Sequence, residues 1–326
     1  MAENVKYGYY SDVARRDVDW LWYPYIPCGK ITILQGDPGE GKSTFILRLT
    51  SILTNGGIFP DGTKLSGPHT VIYQCDEDSM EDTIKPRLLE AGADCTRVAF
   101  INDPERNLTL DDARIRNVLQ ITGARMLILD PIQAFIPPNC DMQSAQKVRE
   151  VMRNLAAMAE ECGCAVVLIS HMNKAGSGKA IYRGLGSIDF AAIARSILMI
   201  VRDEEDTSIR YMYPIKSSLA PEGHPIGFIM EKELGFRWIG VCEKTDSSAV
   251  FQKGPGKKKR AEKLLRSILS IQDIPSANII CKMEQMGISE RTTRAAGKAI
   301  GVKSVKKGSI WYWHLDETRA VLEVEG

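Results

Sequence analysis

Lys30–Leu53, KITILQGDPGEGKSTFILRLTSIL, is the stretch whose reading decides the fold. KITILQ has the composition of a buried strand, and FILRLTSIL has helical spacing. Between them, Gly36 to Ser43 follows the glycine-rich phosphate-loop pattern G-x-x-x-x-G-K-S in its required strand-to-helix context. Glycines let backbone amides turn inward around phosphate oxygens, and the following helix adds its positive end. Gly36, Asp37, Pro38, Gly39, Glu40, Gly41, Lys42, Ser43 and Thr44 are therefore the expected nucleotide cradle. Lys42 would reach the β and γ phosphates and Ser43 would ligate magnesium, so ATP and Mg2+ are the expected ligands.

Outward from this loop, short apolar runs alternate with helical stretches from Lys30 to about Val250: TVIYQC, RVAFI, MLILD, AVVLIS, SILMIVR and YMYPIK. Helical spacing fills Lys42 to Leu53, Asp82 to Glu90, Asp111 to Thr122 and Ser144 to Glu161. That alternation predicts an α/β unit with a mostly parallel sheet and strand-helix-strand crossovers. Two of the runs end in acids, at Asp76-Glu77-Asp78 and at Asp130. Strand carboxyl ends border the ligand crevice of a parallel sheet. Asp130 is thus the magnesium carboxylate expected beside Ser43, and Glu77 is expected to polarise the attacking water, with Asp76 and Asp78 as its alternatives.

At 326 residues with 44% hydrophobic content, the chain has material for about two domains with a sizeable core. No stretch approaches the ~20 apolar residues that span a bilayer, and MAENVKYGYYSD lacks the apolar centre of a signal peptide, so a cytoplasmic protein with no membrane partner is expected. Eight scattered cysteines, most within or beside apolar runs, fit that compartment as buried thiols. Cys162-Gly-Cys164 has no second pair or histidine at ligand spacing, which argues against a metal site. The net charge of +1 hides an asymmetry, because residues 253 to 315 carry fourteen Lys/Arg against four Asp/Glu. That region is built to meet polyanions.

With these residues placed, residues 18 to 242 resemble the RecA-like ATPases of the plasmid RepA hexameric helicase type, a set found in plasmids, phages and integrated elements. The resemblance rests on Trp20-Leu21-Trp22 through Ile26-Pro27-Cys28-Gly29-Lys30, on Glu77-Asp78 followed by Lys85-Pro86-Arg87-Leu88, and on Asp130-Pro131. Ser170-His171-Met172-Asn173-Lys174 and Ala194-Arg195-Ser196 complete it. It implies a homo-oligomeric, hexameric ring with nucleotide between subunits, where Arg195 of one subunit meets the γ phosphate held by its neighbour. The apolar neighbours of Arg195 suggest a setting costly for a guanidinium without an anion. His171 matches the polar sensor of γ-phosphate loss. The loop from Met172 to Gly186, with Lys174, Lys179 and Arg183, resembles the central loop that grips single-stranded DNA. Arg183 is an alternative second finger and Lys216 an alternative partner cation. The segment Gln133 to Gln143 reads either as another DNA-facing loop or as a connection.

FQKGPGKKKR breaks the alternation and divides the chain into an ATPase domain, residues 1–251, a linker, residues 252–259, and a basic unit, residues 260–326, ending in a short acidic tail. In that unit KRAEKLLRSILSI has helical spacing, Ser276 can cap ANIICKMEQM, and Ser289 with Thr292 opens SERTTRAAGKAIG. Strand residues then flank Lys306-Lys307-Gly308-Ser309, so the unit resembles a winged helix-turn-helix. Arg291, Arg294 and Lys298 would line its recognition helix, with Lys306 and Lys307 on the wing and duplex DNA as the partner. The whole reading is a DNA-dependent ATPase acting as a replicative helicase. The alternative is a DNA-binding loader or regulatory ATPase that does not unwind.

Overall fold

The computed structural model describes residues 7–103, 106–138, 140, 144–171, 188–203, 206–231, 235–243, 257–269, 273–285 and 288–315. They fall into two compact units, Met1–Thr245 and Asp246–Gly326.

The first unit opens on a two-stranded antiparallel ladder, β1 (Trp20–Trp22) with β2 (Ile26–Pro27). A nine-stranded sheet follows: β3 (Ile31–Gly36), β4 (Val71–Cys75), β5 (Val98–Ala99), β6 (Met126–Asp130), β7 (Ala165–His171), β8 (Ser196–Arg202), β9 (Ile209–Ser217), β10 (Ile226–Glu231) and β11 (Gly235–Val241). Their order is β11-β10-β9-β8-β3-β7-β6-β4-β5. From β8 to β5 every neighbouring pair is parallel, while β9 to β11 add an antiparallel edge. The mostly parallel α/β expectation agrees with this order, although YMYPIK belongs to the antiparallel edge and only Val98–Ala99 of RVAFI is strand.

Helices α1 (Lys42–Asn55), α2 (Lys85–Ala91), α3 (Ala113–Thr122), α4 (Ala145–Cys162) and α5 (Ile188–Ile193) connect the strands. A single π-helical stretch, Met80–Ile84, leads into α2. Every residue of β3 and β6 is buried, as both-faced cover by helices requires. Along β7, Ala165, Val167 and Ile169 pack in one core with Phe45, Ile46 and Leu49 of α1, whereas Val166 and Leu168 pack in the other with Met152 and Leu155 of α4. Each of these side chains larger than alanine contributes roughly 1.5–3 kcal/mol by burial. A slip of one residue would exchange the two faces, so this alternation pins the register. The register in turn pairs Gly36 with His171 and Cys75 with Asp130, bringing the ends of β3, β7, β4 and β6 to one edge of the sheet.

The second unit contains α6 (Lys257–Leu269), α7 (Ser276–Gln285) and α8 (Glu290–Ala299), with β12 (Ile274–Pro275), β13 (Lys303–Lys307) and β14 (Ile310–His314) as an antiparallel sheet in the order β12-β14-β13. Its core joins Ala261, Leu265, Leu269, Ile279, Met283, Ile288, Ala296 and Trp313. The Ser289 hydroxyl accepts from Thr292 N and caps α8.

The buried-thiol expectation holds fully for Cys28 and Cys164 alone; Cys281 is exposed and the other five are half-buried. Cys281 lies in the amphipathic α7, whose inward face is taken by Ile279 and Met283. No helix among the described residues is long and apolar enough to cross a membrane.

Candidate active site

The loop that follows β3 turns on glycine. A β carbon on Gly36 would stand 2.6 Å from the Ile200 carbonyl oxygen, and one on Gly41, whose φ is +91°, would collide with the Met230 sulfur. The Ile200 backbone therefore excludes a side chain at Gly36, and the left-handed φ of Gly41 favours glycine there. The amino end of α1 has no side-chain cap, which leaves its first N–H groups and its positive end facing the loop. Lys42 is buried, and its ammonium donates to the carbonyls of Gly36 and Asp37 at 2.9 and 3.0 Å. Burial lowers its pKa from the ordinary lysine value, opposed first by the negative charge of Asp130.

Asp130, 4% exposed, accepts two hydroxyl hydrogens on the same oxygen, Oδ2: from Ser43 Oγ and from Tyr73 Oη, each at 2.9 Å. Burial, reinforced by the charge of Asp130, pushes the Tyr73 phenol well above the usual tyrosine range, so it stays a donor. Beside this cluster, His171 Nε2 lies 3.9 Å from Glu77 Oε2, too long for a direct hydrogen bond. His171 Nδ1 is buried and has no hydrogen-bond partner among the described residues. Asp78 is engaged by Arg87 at 2.7 Å, whereas Glu77 is mostly exposed. Asp76 is exposed, and its backbone N donates to the Asp130 carbonyl at 3.3 Å. Lys42, Ser43, Asp130, Glu77 and His171 are thus brought to one edge, from stretches far apart in sequence.

This residue set fits a magnesium–nucleotide pair. Among the described residues no group of three or more His, Cys, Asp or Glu side chains could hold a metal by itself. One hydroxyl and one carboxylate suffice for magnesium, which keeps several waters and takes further oxygens from phosphate. Lys42 has the complementary shape, a buried cation held by carbonyls with no carboxylate in hydrogen-bond contact among the described residues.

Two arginines that sequence reasoning missed flank the loop. Arg202 donates from Nη2 to the Gly39 carbonyl at 2.9 Å, and its Nε is 3.6 Å from Glu40. Arg210, 7% exposed, is paired directly opposite Arg202 on the neighbouring strand, and burial followed by the Arg202 charge lowers its pKa. Neither arginine belongs to a motif; the terminal arginine of SILMIVR is the one available signal. Tyr73 was equally silent, a tyrosine inside an apolar strand.

Arg195 lies elsewhere. Its N donates to the Ile31 carbonyl, and its own carbonyl accepts from Ser218 N, which ties it to the start of β3, the end away from Gly36. Its side chain is exposed, so the expected apolar enclosure is corrected: Ala191, Ala194, Ile197 and Leu198 turn into the core and leave the guanidinium outside. It borders a cavity of about 420 Å³ together with Lys30, Arg153 and Glu160. Lys216 is a structural cap, because its ammonium donates to the carbonyls of Ala191, Ala192 and Ala194 at the end of α5. Lys174, Lys179 and Arg183 lie outside the described residues. In the segment Gln133 to Gln143, Phe135 is buried and its carbonyl accepts from Leu110 N, while Gln133 is exposed.

In the second unit, Thr293, Ala296 and Gly297 form the buried side of α8, and Arg291, Arg294 and Lys298 are exposed. Arg294 pairs with Glu290 and Lys307 with Asp273, both at 2.7 Å, while Lys306 stands over the Trp311 ring at 5.8 Å.

A family model described as an AAA domain matches residues 8–177, a span that contains Lys42, Glu77, Asp130 and His171 and ends before Arg195. The DNA repair protein RadA of Chlamydia muridarum (strain MoPn / Nigg) is 28% identical over 152 residues, which are 46% of this chain and 29% of that protein. RadA of Streptococcus pyogenes serotype M1 is 30% identical over 151 residues, again 46% of this chain and 29% of that protein. The chain therefore covers under a third of the length of these curated relatives. Among solved structures, the KaiC-like protein PH0186 from Pyrococcus horikoshii OT3 is 17% identical with a TM-score of 0.48, covering 65% of this chain and 90% of that one.

Proposed function

We propose that this chain, which belongs to the AAA domain family, is an ATP-driven DNA motor: a ring-forming replicative helicase of a mobile element that hydrolyses ATP between subunits. One observation carries the reading: the phosphate loop holds the buried Lys42 ammonium on its own carbonyls, Ser43 bonds the buried Asp130, and Glu77 and His171 stand at the same end of the sheet. Lys42 neutralises the β and γ phosphates, and Ser43 with Asp130 holds magnesium. Bound magnesium supplies charge neutralisation at the phosphate oxygens. Glu77 orients the attacking water, and His171 beside it reports the loss of phosphate to the loop carrying Lys174, Lys179 and Arg183, which grips single-stranded DNA. Arg195 acts on the site of the neighbouring subunit. The engagement of Asp78 by Arg87 supports Glu77 as the base.

Glu77→Gln tests the hydrolytic role, since it keeps shape and hydrogen bonding but removes the charge that orients water. The variant is expected to bind ATP normally and to turn it over at least ~100-fold more slowly. An active Glu77→Gln beside an inactive Asp78→Asn would transfer the role to Asp78.

The C-terminal unit is proposed as a winged helix that holds duplex DNA through Arg291, Arg294, Lys298, Lys306 and Lys307. Phosphate contacts release counterions, with a slope of about −0.9 per neutralised charge in log K against log salt. Replacing Arg291, Arg294 and Lys298 together with alanine should flatten that slope by about 2–3 and weaken duplex binding uniformly across sequences. An unchanged slope would remove α8 from the DNA interface. Strand displacement on forked DNA with ATP tests the helicase reading as a whole. DNA-stimulated hydrolysis without displacement would identify a loader instead.

A further inference from the structure

We propose that Tyr73 is a positioning residue for magnesium: its phenol holds the Asp130 carboxylate in the orientation that receives the metal. The proposal rests on the magnesium–nucleotide reading of this site and adds to it a residue outside the phosphate-loop and acidic motifs.

Tyr73 and Asp130 stand on adjacent parallel strands, β4 and β6, with Tyr73 opposite Ile128 and Cys75 opposite Asp130. Alternation puts Tyr73 with Val71, and Asp130 in phase with Met126 and Ile128, toward the core that α1 covers. A phenol at position 73 therefore lies under the first turn of α1, within 2.9 Å of Asp130 Oδ2. Phenylalanine would fill the same apolar space. A buried hydroxyl costs free energy unless it is bonded, and the described structure gives this one a single bond, to the carboxylate.

The geometry explains why a second donor matters. The last torsion of an aspartate is broad, so one hydrogen bond from Ser43 leaves the plane of the carboxylate free to turn. Two donors converging on Oδ2 from different elements, Ser43 of α1 and Tyr73 of β4, restrict that rotation. They also occupy the lone pairs of Oδ2. Both described side-chain bonds of Asp130 fall on Oδ2, so Oδ1 is the atom left for the metal or its water. Outer partners of this kind change metal affinity by about 10–100-fold when removed.

The test uses the full chain with Mn2+ as the probe. Free Mn2+ is measured by electron paramagnetic resonance at saturating ATPγS, and ATPγS binding is measured separately in EDTA. Tyr73→Phe is expected to weaken Mn2+ binding by ~10-fold or more while metal-free ATPγS affinity stays within about 2-fold. A residue that merely packed the sheet would move both measurements together or neither. In an Asp130→Asn chain, Tyr73→Phe should weaken Mn2+ no further, and an additive loss would overturn the proposal. Tyr73→Met, which fills the space without a donor, carries the same expectation if the phenylalanine chain does not fold. Unchanged Mn2+ affinity in these variants, with tight binding in the unaltered protein, overturns the role of Tyr73 alone. Failure of the unaltered protein to bind Mn2+ more tightly with ATPγS overturns the magnesium–nucleotide reading itself.

Discussion

Arg195→Ala is expected to lower ATP turnover by ~1000-fold while leaving ATP binding at Lys42 intact, the signature of an arginine finger. Arg195 is hydrogen-bonded through its backbone to Ile31, and the phosphate loop begins five residues further along β3, at Gly36. At ~3.3 Å per residue those positions are about 16 Å apart, so the guanidinium does not serve the phosphates of its own subunit. It is exposed, as a residue reserved for a neighbour requires, and Glu160, which borders the same cavity, pairs with Lys30 at 3.2 Å. An Arg195→Ala subunit keeps a good phosphate loop, and a Lys42→Ala subunit keeps a good finger. Mixed assemblies of the two inactive variants should therefore regain activity wherever a good loop meets a good finger. Mixed rings that form, verified by differently tagged subunits, and remain as inactive as either variant alone would end the proposal of action between subunits.

Lys42→Ala is expected to cut turnover by at least ~100-fold and to weaken ATP binding, without loss of fold. Phosphoryl transfer depends on positioning and charge neutralisation, and Lys42 is the cation already inside the loop, its amine held on the carbonyls of Gly36 and Asp37. The ammonium is desolvated with no carboxylate in hydrogen-bond contact among the described residues, and its desolvation outweighs the attraction of Asp130, Asp37, Glu40 and Glu77, so removing it deletes a buried charge that disfavours the folded state. The melting temperature should consequently hold or rise. Near-normal hydrolysis in this variant would remove Lys42 from the chemistry, and a large fall in melting temperature would instead assign it to the packing of α1 on β3.

Much of the architecture was legible in the sequence because it is locally encoded. Gly36 and Gly41 stand where a β carbon would strike Ile200 or Met230, and such positions announce themselves as glycines in a fixed pattern. The runs ITILQG, VIYQC, MLILD and AVVLISH are apolar on both faces because helices cover both sides of a parallel sheet, and acids at two of their ends marked the edge where Asp130 and Glu77 lie. Periodicity names the face a residue takes, but it does not name the neighbour across the sheet. The insertion of β7 between β3 and β6, which sets His171 beside Gly36, was decided only by tertiary pairing. So was the bond from Tyr73 to Asp130, which spans 57 residues, and the engagement of Asp78 by Arg87, which leaves Glu77 and Asp76 as the exposed acids. Arg195 and Lys216 were both candidate cations, yet only the folded chain seats Lys216 against three carbonyls and leaves Arg195 exposed. Desolvation and long-range hydrogen bonding act between residues that meet only after folding, so no local pattern in the chain records them.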